Sequence, residues 1–124
     1  MKFEDGQSIY LQISGQICWD IMGGKWKASE RLPSVRETAV ELQVNPNTVL
    51  KSYAELESKG IIYKERGMGY YVSPDAKSVI SRIRNDEFFS NELPKLFKTL
   101  KMLSVSPEKL GKLYTKYLTE ENSK

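Results

Sequence analysis

The sequence predicts a mainly α-helical protein with one small β-hairpin, and three stretches carry that expectation. Leu32-Pro33-Ser34-Val35-Arg36-Glu37 reads as a helix entry, Val44-Asn45-Pro46-Asn47-Thr48-Val49 as a second entry, and Arg66-Gly67-Met68-Gly69-Tyr70-Tyr71-Val72 as a glycine turn feeding a strand. Two capped helices and a glycine-tipped hairpin, in that order, are what a winged helix-turn-helix requires: one helix to enter a DNA groove and a hairpin to touch the backbone beside it.

The first helix is written in Ile9, Ile13, Ile17 and Ile21, with Leu11, Cys18 and Met22 widening the stripe. It should end at Gly23-Gly24, where glycine takes the left-handed C-cap conformation without a Cβ penalty. Lys25 to Arg31 reads as a polar connection, with Trp26 packed on the core. Ser34 followed by Glu37 is a capping box that starts a second helix, on which Val35, Ala39 and Leu42 share one side, with Leu32 packing from outside. Asn45-Pro46 starts the third, asparagine capping and proline at the first position, where its missing N–H costs nothing. This helix should run to about Lys59 and stop at Gly60. Val49, Tyr53 and Leu56 form its buried side; Asn47, Thr48, Lys51, Ser52 and Glu55 are expected to point outward.

Ile61-Ile62-Tyr63 and Tyr70-Tyr71-Val72 read as the strands of the hairpin, joined by Arg66-Gly67-Met68-Gly69, and Ser73-Pro74-Asp75 closes the domain at residue 74. Residues 75–124 read as a helical tail. Val79, Ile80, Ile83, Phe88 and Phe89 form a stripe continued by Leu93, Leu96, Phe97, Leu100 and Leu103, with Pro94 imposing a kink or a new helix start near Asn91. Ser106-Pro107-Glu108 starts a last helix with Leu110, Leu113, Tyr114, Tyr117 and Leu118 on its apolar face, and Glu120 to Lys124 should fray.

Composition excludes several classes. A chain of 124 residues is room for one compact domain and an appendage. There is one cysteine and no histidine, so neither an internal disulfide nor a structural zinc site is available, and Cys18 should fill a packed helix face. No run approaches the ~20 apolar residues of a membrane helix, so no membrane partner is expected. The acidic start Met1-Lys2-Phe3-Glu4-Asp5 is not that of a signal peptide, so the chain is expected in the cytoplasm. Without a nucleophile-base or metal constellation, no enzyme activity and no cofactor are expected. The net charge of +3 is weak support for nucleic acid. Residues 1 to 74 hold nine basic and nine acidic side chains, and the excess of ten over seven lies beyond them. DNA binding must therefore rest on where basic groups stand.

The motifs quoted above, together with Ile9-Tyr10-Leu11-Gln12-Ile13, resemble the DNA-binding domain of GntR-family bacterial transcription regulators over residues 9 to 72. The short tail, rich in leucine and phenylalanine, is similar to that of the YtrA-type branch, whose members dimerise through a short helical tail.

The resemblance implies a set of DNA contacts. Arg36 matches an arginine that reads bases, and its guanidinium can pair bidentately with guanine O6 and N7; the alternative is a solvated arginine bridging Glu37 or Glu41. Ser34 caps its helix and can present backbone N–H groups to a phosphate. Asn45, Asn47 and Thr48 match positions that touch bases or phosphates, although Asn45 can serve as a cap alone. Many relatives carry arginine where this chain has Pro46, and often at Leu50, so the operator cannot be copied from them. Lys51 is either a phosphate contact or a solvated charge. At the wing, Gly67 and Gly69 allow the tight turn, Arg66 is placed for a minor groove, and Lys64 for a phosphate.

The tail is expected to form a subunit interface through Ile83, Phe88, Phe89, Leu93, Leu96, Phe97, Leu100, Leu103, Leu110, Leu113 and Tyr117, the alternative being packing against the first helix. The expected function is that of a homodimeric, sequence-specific DNA-binding regulator, a repressor on a pseudo-palindromic operator. A winged-helix protein-interaction module with little DNA binding is the competing reading. A small effector at the dimer interface stays open, with no pocket motif to mark it.

Overall fold

In a computed structural model the chain is described over residues 1–122 and divides into two compact units, the first ending at Ile83 and the second starting at Arg84. The division falls beyond the expected boundary at 74/75 because Ala76, Val79 and Ile80 bury in the core of the first unit. Ile83, expected at a subunit interface, is half-buried and packs against that core.

In the first unit, α1 (Ile9–Met22), α2 (Val35–Leu42) and α3 (Pro46–Ser58) precede the hairpin β1 (Ile62–Glu65) and β2 (Gly69–Val72), and α4 (Ala76–Glu87) follows. The fourfold isoleucine spacing on α1 puts Ile13, Ile17 and Ile21 in the core, where they meet Leu32, Ala39, Val49, Tyr53, Leu56, Ile61, Ile62 and Val72. Cys18 and Trp26 pack at its margin. Gly24, at φ 86°, supplies the left-handed residue that ends α1.

The helices α1 and α3 approach through serines. The buried Ser52 hydroxyl donates to the Tyr10 carbonyl at 2.7 Å, and that of Ser14 donates to the carbonyls of Tyr10 (2.9 Å) and Ser52 (3.3 Å). Ser52 therefore faces inward, contrary to the outward position expected of it, because its hydroxyl finds an acceptor on the neighbouring helix. Glu55 is half-buried.

The strands pair antiparallel, Ile62 opposite Val72 and Glu65 opposite Gly69. The first strand thus runs two residues further than Ile61–Tyr63. The connection before α2 also joins the sheet: Arg31 forms a bridge to Tyr71, with backbone bonds Leu32 N–H to Tyr70 O (2.8 Å) and Val72 N–H to Glu30 O (2.9 Å). Lys25 to Arg31 is therefore more than a polar connection; its end covers the outer edge of β2.

The second unit opens with the last turn of α4, which passes into a π-helical turn, Phe88–Glu92, and then α5 (Leu93–Met102) and α6 (Pro107–Asn122). The disturbance expected near Asn91 takes the form of this π turn, which ends two residues before Pro94, whose ring and missing N–H disrupt ordinary helical bonding. Ser106 caps α6, its hydroxyl accepting from the Lys109 N–H at 3.1 Å. Of the end expected to fray, Glu120 to Asn122 are helical, and Ser123 and Lys124 lie outside the described residues. No residue from 84 to 122 is buried. Among the described residues no helix is long and apolar enough to cross a membrane.

Candidate nucleic-acid interface

Entry to α2 is fixed by the full capping box. Ser34 Oγ accepts from the Glu37 N–H and Glu37 Oε1 accepts from the Ser34 N–H, both at 3.1 Å. The Glu37 carboxyl is held below its usual range, first by the Ser34 backbone N–H and then by the Ser34 hydroxyl, with the Arg31 charge adding a little. Arg36 stands two residues past this cap, on the first turn of α2, and is exposed.

The turn between α2 and α3 uses Gln43 in the left-handed region (φ 57°) as C-cap, and Asn45 then starts α3, its Oδ1 accepting from the Asn47 N–H at 2.8 Å. That bond engages the Asn45 carbonyl oxygen with its own helix. Asn47, Leu50, Lys51 and Ala54 are exposed, three and four residues apart, so they share the outward face of α3, with Thr48 half-buried at its flank. The Lys51 ammonium lies 5.0 Å from the centre of the Tyr10 ring on α1.

One buried side chain ties these pieces together. Tyr53 Oη donates to the Pro33 carbonyl (2.7 Å), lies 3.0 Å from the Thr38 hydroxyl, and its ring meets Tyr70 of the wing edge-on at 4.9 Å. Burial raises the pKa of its phenol, which favours the neutral donor these partners need. The inward side of Tyr53 was legible in its spacing from Val49 and Leu56; its three partners were not, because they come from distant segments.

In the wing, the Met68 N–H donates to the Glu65 carbonyl at 2.9 Å across Arg66 and Gly67, with Gly67 at φ 75°. Arg66 is exposed at this tip, and the Lys64 ammonium sits 5.6 Å from the Tyr70 ring centre. Gly69 has φ 109°, and a Cβ there would lie 3.0 Å from Arg31 Nε. Arg31, exposed and laid beside the wing, was not singled out in the sequence; its position before Leu32-Pro33-Ser34 gave no sign of a return to the sheet. Tyr63 and Tyr71 stack at 5.7 Å, so these tyrosines are occupied within the hairpin.

A capped helix, a turn, a second helix with an open face and a basic hairpin beside them define a winged helix-turn-helix DNA-binding transcription regulator. Relatives agree. The uncharacterized HTH-type transcriptional regulator YhcF of Bacillus subtilis is 32% identical over 109 residues, 88% of this chain and 88% of that protein. The HTH-type transcriptional repressor YtrA of the same organism is 47% identical over 72 residues, 58% of this chain and 55% of that protein. A crystal structure of a GntR-family protein from Bacteroides thetaiotaomicron superposes with a TM-score of 0.81 at 39% identity, covering 91% of this chain and 98% of that one. The model of the bacterial regulatory proteins, gntR family, matches residues 9–72, and the chain belongs to this family, one of regulators and not of enzymes.

Proposed function

We propose that the protein is a homodimeric repressor that binds a pseudo-palindromic operator in the cytoplasm and blocks transcription there. The observation that carries the dimer is the second unit. Residues 84 to 122 fold into helices without burying one side chain, while Phe88, Phe89, Leu96, Phe97, Leu103, Leu113 and Tyr117 are all exposed. A helical unit with no interior of its own needs a partner, and a second copy with the same stripe supplies one. Leu93, Leu100 and Leu110, half-buried, complete that stripe.

Two copies set two α3 helices roughly 34 to 36 Å apart, one turn of duplex, which calls for an inverted repeat. In each copy Arg36 and Asn47 meet base edges, and Ser34, Thr48, Lys51 and Lys64 hold phosphates. Arg66 enters the minor groove, with Gly67 and Gly69 letting the backbone approach. Asn45 serves chiefly as the cap of α3. The repressor sign is supported by YtrA, named a repressor. Selection from random duplexes at low salt tests the whole reading: an enriched inverted repeat is expected, and no enriched motif overturns it.

A further inference from the structure

We infer that α3 reads A·T pairs, with Leu50 packing on a thymine methyl group beside an adenine held by Asn47. This rests on the DNA-binding reading above and names what the reading helix takes.

Leu50 lies on the outward face of α3 with 48% of its surface exposed, and it takes no part in the core cluster. A single exposed leucine needs no explanation on an ordinary surface. Here its neighbours on the face give it one. Asn47 precedes it by one turn, and the exposed Ala54 follows by one. The one charged group among them, Lys51, has its ammonium over the Tyr10 ring of α1, 5.0 Å from the ring centre. What the middle of α3 offers a major groove is thus one carboxamide and two aliphatic side chains.

Those groups match one kind of base pair. A carboxamide bonds adenine at N6 and N7, and an aliphatic group meets the C5-methyl of thymine, the one apolar feature of the groove. Arginine and lysine are the usual readers of guanine; Pro46 and Leu50 supply neither group, and the ammonium that this face does carry, that of Lys51, lies over the Tyr10 ring. Asn47 and Leu50 are separated by about 4.5 Å of helix rise, which puts them within reach of two successive base pairs stacked roughly 3.4 Å apart.

The experiment uses the full-length protein and the duplex enriched by selection, with each half-site thymine replaced in turn by deoxyuridine, which lacks only the methyl. Affinity is read by fluorescence anisotropy at fixed salt. One replacement per half-site should weaken binding by about fourfold, the value of one buried methyl-sized group. Leu50→Ala, at an exposed helical site that alanine suits, should bind more weakly and lose that discrimination between thymine and uridine. Uridine tolerated at every position, or discrimination retained by Leu50→Ala, overturns the proposal and leaves the regulator reading standing. Failure to bind any duplex overturns both.

Discussion

The hydroxyl of Tyr53, in the middle of α3, donates to the carbonyl of Pro33, the residue before the cap of α2, at 2.7 Å. One side chain thereby sets the distance between the two helix entries that carry Arg36 and Asn47. The same oxygen meets the buried Thr38 hydroxyl at 3.0 Å, so both polar groups are satisfied inside the domain. Tyr53→Phe removes both bonds and leaves the Thr38 hydroxyl buried, which should cost about 1–3 kcal/mol in urea unfolding. Operator affinity should fall as well, since the helix entries are no longer pinned. An unchanged midpoint would show that the bond carries no net stability.

Glu37 gives the domain a defined response to acid. Its carboxyl is held below the ordinary 4.5 chiefly by the Ser34 backbone N–H and then the Ser34 hydroxyl. A folded-state value below the unfolded one means the contribution is complete above the unfolded value and is lost as pH falls through the folded value. Glu37→Gln keeps an acceptor for the Ser34 N–H and does not titrate. The stability difference between wild type and Glu37→Gln should therefore shrink as pH falls below the ordinary carboxylate value, followed by thermal unfolding. A constant difference over that range would contradict the assignment.

The Arg31 guanidinium lies beside Gly69 at the base of the wing. A Cβ at position 69 would meet Arg31 Nε at 3.0 Å, and φ of 109° is one that L side chains rarely adopt. Gly69→Ala should destabilise the domain by roughly 1–3 kcal/mol, the range of such backbone strain. Gly67→Ala also strains a positive φ, at 75°, but meets open space. The substitution at 69 should therefore displace the Arg31 guanidinium where that at 67 does not, visible as a selective shift of its side-chain NMR signal.

On the proposed reading, Arg36 reads a base and Lys51 holds a phosphate, and substitutions tell the two apart. Arg36→Ala should lower preference for the operator over unrelated duplex by about 1–3 kcal/mol, the worth of one bidentate base pair contact. Lys51→Ala should weaken binding to both alike and reduce the salt slope by about one unit, and Lys51→Arg should restore the slope. Binding titrations from low to moderate salt distinguish the two patterns. Equal loss on all sequences for Arg36→Ala would make it a backbone contact.

Local signals in the chain placed most of the fold. Capping by Ser34-Glu37 and Asn45-Pro46, the isoleucine stripe of α1 and the glycines of the turn are each written within a few residues, and each element formed where those residues put it. What escaped depends on partners far along the chain. Ser52 looked like an outward polar residue until the Tyr10 carbonyl, 42 residues away, accepted its hydroxyl. Arg31 belonged to a polar stretch until β2 offered it an edge. The stripe running from Val79 through Ile83 gave no sign of where core ends and tail begins, because burial in one unit and exposure in the next use the same leucines, isoleucines and phenylalanines.

The tail makes the largest single prediction. On α5, Leu93, Leu96, Phe97 and Leu100 recur at helical spacing, with Phe97 55% exposed. If this stripe meets its copy across a two-fold axis, Phe97→Glu buries two carboxylates without partners and should yield a monomer by light scattering at micromolar concentration. Helix content should persist, because an exposed residue supports no internal packing. Linkage of two reading heads multiplies affinity by about 10²–10⁴, so the variant should lose operator affinity by a factor in that range while keeping half-site preference. A dimer mass retained by Phe97→Glu, or a one-chain mass for the wild type, would remove the tail from the interface.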